Sequence, residues 1–319
     1  MKTGELKSLI ATLPRLIDAS IADSTRNKYS RAWDQWEKFC EHKPEIVPRP
    51  ADPFYIAVYF NYLLNKKGTR GSVTDAMYGI RWGHTSTGFY SPTDHPFVKS
   101  AYEGARRLSN YTGTNKKEPV TPSMLHQLID TYGEHDNLLQ QRTLIICLLG
   151  FSTFMRLDEL LDVKVGDIKF YPSYMTIHVR KAKNDQLREG NVTYVSELQS
   201  QYCPVLCTAA YITVARLQPT DYLVCKLVRT KKGHRVVGKH RMSNSRIRKT
   251  FMDHATPLFP DVNIGLHGLR AGGASAAAQN HVSDRLISKR GRWASEKLRD
   301  GYIRDSVQDR LSVTKNLGL

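Results

Sequence analysis

The sequence predicts a mainly α protein with a small antiparallel β-sheet, an α+β chain in two domains, on three observations. Apolar residues recur at helical spacing through the front of the chain with no alternating run among them. A polar stretch, Tyr111-Thr-Gly-Thr-Asn-Lys-Lys-Glu-Pro119, then breaks the pattern in the manner of a linker. Alternation typical of strands appears only beyond it, at Val163 to Phe170, Tyr174 to Arg180 and Asn191 to Val195. The boundaries that follow are a helical domain over 1–112, a linker over 113–120 and a mixed domain over 121–319. A chain of 319 residues is also longer than one core usually organises.

The helical front divides at its turn residues. From Glu5 to Asp23, Leu6, Leu9, Ile10, Leu13, Leu16 and Ile17 fall at helical spacing. Ser24 is the expected cap of a second helix, whose Tyr29, Trp33, Trp36 and Phe39 form one face, read as core. After the Pro-rich break at 44–53, a helix spans Phe54 to Leu64, and Ser72 is the expected cap of the next. A last helix runs from Pro96 to Leu108. Lys66, Arg70 and Arg81 on these helices are candidates to meet phosphates, with a solvated charged face as the alternative.

In the second domain Thr121-Pro122 marks a helix start, and the apolar segment from Asn137 to Phe154 reads as a buried helix. It leads into Arg156 and Glu159, three apart, where the carboxylate can hold the guanidinium. An ordinary surface ion pair is the competing reading of that spacing. A polar hairpin loop, residues 181–190, carries Lys181 and Lys183.

Charge supplies the first functional evidence. There are 47 Lys and Arg against 30 Asp and Glu, a formal net charge of +17. Such an excess in a folded, non-repetitive chain fits a polyanionic partner, above all nucleic acid. It is uneven, with 16 basic and 11 acidic residues through Asn115 and 31 and 19 beyond. From Lys226 to Lys249 there are ten basic residues and no acidic one, including Lys231, Lys232, Arg235, Arg241, Arg246, Arg248 and Lys249. Interspersed Val236, Val237, Met242, Ile247 and Phe251 argue for a folded hairpin and a helix capped by Ser243 or Ser245, placed against DNA, rather than a basic tail.

The five cysteines are odd in number and lack a paired C-x-x-C framework, so reduced thiols and no zinc site are expected. No secretory signal opens the sequence, and its apolar runs are too short to cross a bilayer. A soluble intracellular protein is the expectation.

The densest chemistry lies between His267 and Tyr302: His267-Gly-Leu-Arg270, a run of small residues, Arg290-Gly-Arg292-Trp293, and then Tyr302. An imidazole, guanidinium groups, an indole N–H and a phenol suit a phosphodiester attacked by a tyrosine. Together with Arg156 and a hairpin lysine, the ordered set His267-x-x-Arg270, Trp293 and Tyr302 resembles the catalytic set of the tyrosine recombinases, the phage-integrase family. The intervals of 23 residues from Arg270 to Trp293 and 9 on to Tyr302 match as well.

The resemblance covers most of the chain. It implies a helical core-binding domain ahead of an integrase-type catalytic domain, the two forming a clamp around double-stranded DNA. The loop from Lys183 to Gly190 resembles the recombinases of eukaryotic mobile elements, the DIRS, Ngaro and Crypton types, which implies a nuclear protein; a bacterial relative would work at the nucleoid. One departure stands out. A Gly-Leu or Gly-Met pair precedes the first arginine in relatives, whereas Phe154-Met155 does so here, so an altered backbone turn is expected.

The implied mechanism gives each residue a part. Arg156 and Arg270 clamp the non-bridging oxygens, His267 and Trp293 add donors, Lys183 protonates the leaving 5′ oxygen, and Tyr302 forms a 3′-phosphotyrosine. No cofactor, ATP or metal is called for, and the expected assembly is a homotetramer on two DNA sites that passes through a four-way junction. Lys181 remains the alternative acid. Type IB topoisomerase-like relaxation and a catalytically silent DNA-binding derivative are the alternative functions.

Overall fold

The computed structural model describes residues 3–67, 69–109, 117–133, 137–180, 190–231 and 233–317, which form two compact units, Met1–Thr114 and Asn115–Leu319. The hairpin lysines Lys181 and Lys183, Lys232, and the first part of the expected linker lie outside the described residues.

The first unit contains α1 (Thr3–Asp18), α2 (Asp23–Cys40), α3 (Pro53–Lys67), α4 (Arg70–Thr85) and α5 (Pro96–Leu108). Its core is aromatic, with Trp33, Trp36, Tyr59 and Phe60 buried beside Ile56 and Ile80. Two glycines let α4 lie directly on α2. A Cβ on Gly79 would stand 2.5 Å from that of Ala32, and one on Gly83 would stand 2.0 Å from the Trp33 ring.

Two expectations for this unit change. The second helix starts two residues early, at Asp23, with Ala22 rather than Ser24 as its cap, offering no side-chain bond. Thr69, not Ser72, caps α4, its hydroxyl accepting from the Ser72 amide. The periodic row in α1 is amphipathic, yet Leu6, Leu9, Ile10, Leu13, Leu16 and Ile17 are all exposed. Period alone identifies an apolar face without saying what covers it.

The second unit is built around α7 (Leu138–Thr153), which is apolar on all sides. Ile145, Ile146 and Leu149 face a core shared with a three-stranded antiparallel sheet of β1 (Ile168–Tyr171), β2 (Tyr174–Val179) and β3 (Asn191–Ser196). Leu144, Cys147 and Leu148 face a second core shared with α6 (Pro122–Tyr132), α10 (Asn244–Leu258) and α11 (Leu266–Gln279). The Thr121 hydroxyl caps α6 and the Asn137 amide oxygen caps α7. The sheet register aligns Ile168 and Thr193 with Ile177. Strand β1 begins later than the alternation suggests, because Asp167 accepts from the Lys164 amide and closes a short 3-10 turn over Val165–Asp167.

The remaining elements are α8 (Leu157–Leu161), α9 (Pro204–Val214), the hairpin of β4 (Cys225–Thr230) and β5 (Gly233–Arg241), and α12 (Asp284–Gly291), α13 (Glu296–Asp300) and α14 (Val307–Lys315). Glycines again decide the closest packing. A Cβ on Gly272 would fall 1.9 Å from the Val120 carbonyl oxygen, and one on Gly273 would fall 2.0 Å from that of Phe151. As a result residues 117–120, expected to be linker, are docked on α11 and the segment before it: the Val120 amide donates to Gly268 O and the Glu118 amide to Asn263 O. Among the described residues no helix is long and apolar enough to cross a membrane.

Candidate active site

The site forms where the end of α7, the first turns of α11 and the segment after α12 meet. Helix α7 stops at Phe154, which adopts the left-handed conformation at φ 54° and ψ 25°. This is the turn a glycine makes without cost, and a bulky residue held there stores about 1–3 kcal/mol. Burial of the ring offsets it. Phe154 packs with Ala274, Ile287 and Trp293, and the bare Gly273 leaves room for it. The departure seen in the sequence therefore preserves a glycine-like turn while adding an aromatic wall.

That turn aims the Phe154 carbonyl at Arg270, on α11. The Arg270 guanidinium donates to Phe154 O through Nη1 and to Gly291 O through Nη2 at 2.5 Å. It is 1% exposed and lies under two rings, 4.6 Å from the Trp293 centroid and 5.0 Å from that of Tyr302. Burial, followed by the charge of Arg156, lowers its pKa to about 10, which leaves it a cation at neutral pH.

Arg156 follows the same turn and caps α8. Its Nη1 donates to Glu159 Oε1 at 2.8 Å and its backbone N to Oε2 at 2.9 Å. Glu159 is buried, and its Oε2 also accepts from Arg292 Nη2. The pair is thus an internal one, and the surface reading of the spacing falls away.

His267 keeps one edge open to solvent while its ring approaches Tyr302, with centroids 5.2 Å apart. Desolvation of its inner side, then the charges of Arg270, Arg156 and Arg248, push its pKa below the ordinary value. The imidazole is consequently neutral at neutral pH. Trp293 is 8% exposed and 5.1 Å from Tyr302, centroid to centroid. Tyr302 leaves α13 with its amide bonded to Arg299 O at 2.8 Å, and the Arg304 amide, two residues on, is tied to Ser275 Oγ of α11 at 2.9 Å.

Among the described residues of this site, three deeply buried donors have no acceptor: Arg270 Nε, Arg292 Nε and Trp293 Nε1. An unmatched buried N–H is costly, and the two on side chains packed against Tyr302, Arg270 Nε and Trp293 Nε1, suit an anionic acceptor. Arg156, His267, Arg270, Trp293 and Tyr302 are therefore brought together as expected, with Glu159 beneath Arg156. Two further residues of the site carry little signal in the sequence. Arg292 is marked there only by its place in Arg290-Gly-Arg292-Trp293, and Arg290 donates to Ser152 O at 2.7 Å. A cavity of about 710 Å³ nearby is lined by Phe151, Phe154, Val195, Ile287 and Arg290, among others, and by none of the five converging residues.

The candidate DNA-facing cations divide. Arg241 is held by Asp158 at 3.0 Å and by Asp162, Arg81 by Asp94 at 3.2 Å, and Arg70 donates to Arg106 O. Lys66 lies against Tyr62. Lys231, Arg235, Arg246, Arg248 and Lys249 are exposed and make no ion pair among the described residues. Ser243 caps the helix that carries the last three. The thiols of Cys203 and Cys207 are engaged locally, Cys203 accepting from the Leu198 and Leu206 amides and Cys207 donating to Gln201 O.

No protein-family model matches this chain. It is 24% identical over 303 residues to an integrase/recombinase xerD homolog of Selenomonas ruminantium, covering 91% of this chain and 84% of that protein. Among solved structures, a lambda integrase dimer bound to a COC′ core site aligns with a TM-score of 0.58 at 13% identity, over 95% of this chain and 96% of the other. The Tn1549 transposon integrase in complex with transposon right end DNA aligns with a TM-score of 0.56 at 10% identity, over 94% and 95%. The chain shares the fold of these integrases.

Proposed function

We propose that this chain is a site-specific tyrosine recombinase, a DNA strand transferase in which Tyr302 is the nucleophile. The observation that carries the reading is the pair of side chains packed against that phenol, Arg270 and Trp293, each with a buried N–H that has no partner among the described residues. A phosphodiester supplies the missing acceptors. The relationship to the xerD homolog and the fold shared with integrases support the same reading.

In the reaction Tyr302 Oη attacks phosphorus, the bond to the 5′ oxygen breaks, and a 3′-phosphotyrosine forms. Neutral His267 accepts the phenolic proton and, once charged, becomes a further donor against the phosphate. Arg156 and Arg270 bind the non-bridging oxygens more strongly as charge accumulates on them. Lys183 is the acid for the leaving 5′ oxygen. A 5′ hydroxyl from another strand then reverses the chemistry, conserving the bond without ATP. The finer reading is a mobile-element recombinase of the DIRS, Ngaro or Crypton type, acting as a tetramer on two DNA sites through a four-way junction.

The test uses duplexes of randomised sequence carrying a single nick, incubated with the protein in EDTA and recovered through covalent capture under denaturing conditions. Wild type is expected to yield adducts enriched in one sequence, and Tyr302→Phe none, with equal retention of the same duplex on a native gel. Absence of any wild-type adduct rejects the enzyme. Plasmid relaxation without exchange between two selected sites would replace recombination by topoisomerase-like action.

A further inference from the structure

Arg292 stands outside the set read from the sequence, yet it connects the two halves of the site. It is the left-handed cap of α12, at φ 54°, directly before Trp293. Its Nη2 crosses to Glu159 Oε2, on the segment that carries Arg156. Side-chain exposure is 9% for Arg292 and 3% for Glu159, so the contact is an internal one.

A buried Arg–Glu pair left to itself tends to a bidentate, fork-to-fork arrangement that uses two guanidinium donors. Here Glu159 cannot offer that geometry, because Oε2 is already taken by Arg292 Nη2 and the Arg156 backbone N. The Arg156 side chain spends only Nη1, on Oε1. Its Nε and Nη2 have no acceptor among the described residues.

We propose that Arg292 is a positioning residue: by occupying the second oxygen of Glu159 it keeps two donors of Arg156 free for the scissile phosphate. The inference rests on the reading of Tyr302 as the nucleophile. Charge gives the arrangement a second consequence. One carboxylate and one guanidinium would cancel, whereas Arg156, Arg292 and Glu159 leave one positive charge, and Arg270 adds another. Two positive charges match the two negative charges that a phosphodiester carries once the tyrosine oxygen has added to it. Without Arg292 the carboxylate turns onto Arg156, and both its donors and its charge are lost to the substrate.

The test is a double-mutant cycle of Arg292→Met and Arg156→Lys, read as the single-turnover rate of adduct formation on the duplex selected above and, separately, as affinity for that duplex. Arg292→Met is expected to slow the rate about 10- to 100-fold, the range of a direct coupling, and to change affinity less than about threefold. In the Arg156→Lys background the same substitution should slow it no further, since the donors it protects are gone. A wild-type rate in Arg292→Met overturns the inference, as do effects that multiply in the double variant. The latter would mean that Arg292 meets the phosphate itself or only supports the fold. Arg292→Lys, which keeps the charge and one donor, is carried through the same cycle if the Met variant is unfolded at the assay temperature. Failure of wild type on every duplex removes the recombinase reading and this inference together; an active wild type with indifferent Arg292 variants removes the inference alone.

Discussion

In the first unit the most deeply buried polar side chains are neutral and matched. His84 bonds on both ring nitrogens, and the Trp36 indole donates to Pro48 O at 3.0 Å. At the candidate site of the second unit the buried groups are charged and left incomplete: Arg270, Arg292 and Glu159 are buried together with donors that have no acceptor among the described residues. A protein that folds only to be stable has no use for the second arrangement, because charge taken out of water without full pairing costs several kcal/mol per ion. Unmatched atoms also occur elsewhere, at Arg49 Nε and Arg106 Nε in the first unit, but only at the candidate site do several buried charges share them. The second unit also carries cations of the opposite kind, Arg235, Arg246 and Lys249, which are exposed to solvent. Buried guanidiniums should govern the rate of chemistry, exposed ones the affinity and its salt dependence.

The largest expected effect follows from Arg270. Lysine gathers its donors on one nitrogen and cannot reproduce the planar fork by which Arg270 Nη1 and Nη2 hold Phe154 O and Gly291 O while Nε stays unmatched. Arg270→Lys is expected to slow single-turnover adduct formation about 10²- to 10³-fold, the usual cost of a lost transition-state donor. Binding of the uncleaved duplex should change only a few fold. A variant that loses affinity and rate in equal measure would erase the distinction between the two kinds of cation.

A smaller effect is expected from replacing Arg235, Arg246 and Lys249 by Gln. Every phosphate that a substitution leaves without its cation should lower the slope of log affinity against log salt by about 0.9, and weaken all duplexes alike. Filter binding across a salt series measures it. An unaltered slope would show that these side chains face solvent in the complex too, and would move the DNA surface elsewhere.

Much of this was legible in the sequence, for reasons that differ by feature. An unbroken apolar segment located α7, and His267 and Arg270, three apart, share a face of α11 because local geometry makes them neighbours. Trp293 and Tyr302 were joined to them by side-chain chemistry and a resemblance to a known catalytic set, not by a shared face. The left-handed turn at Phe154 was not legible, since a phenylalanine carries none of the signal of the glycine it replaces. Nor were the pairings of Arg292 with Glu159, 133 residues apart, or of Arg241 with Asp158, 83 apart. Such contacts are products of tertiary packing and leave no period. The basic run over 226–249 shows the consequence: composition counts Arg241 with its neighbours, while its acid partners make it a strut of the fold.

The smallest effect concerns the matched side of the contrast, and pH is its probe. His84 Nε2 accepts from the Ala51 amide at 3.0 Å, so its proton resides on Nδ1 and is donated to Ile80 O at 2.8 Å. Burial, opposed by the Ile80 bond and assisted by the charge of Arg49, lowers its pKa. Protonation would place Nε2–H against the Ala51 N–H and a charge against Trp33, whose ring lies 5.5 Å away. Above the unfolded value of about 6.5 both states are neutral, and the group contributes no pH dependence. Below it the unfolded chain takes up a proton that the folded one refuses, so stability declines as pH falls, by at most about 1.4 kcal/mol per pH unit. Glutamine at this position offers an acceptor and a donor but no titration. His84→Gln should therefore be less stable than wild type at about pH 7.5 yet flatter between about pH 7 and 5, and hydrogen exchange at the Ala51 amide reads this locally. Equal slopes in the two proteins would mean that the first unit buries its imidazole with room for a charge, and the contrast between the units would lose its neutral half.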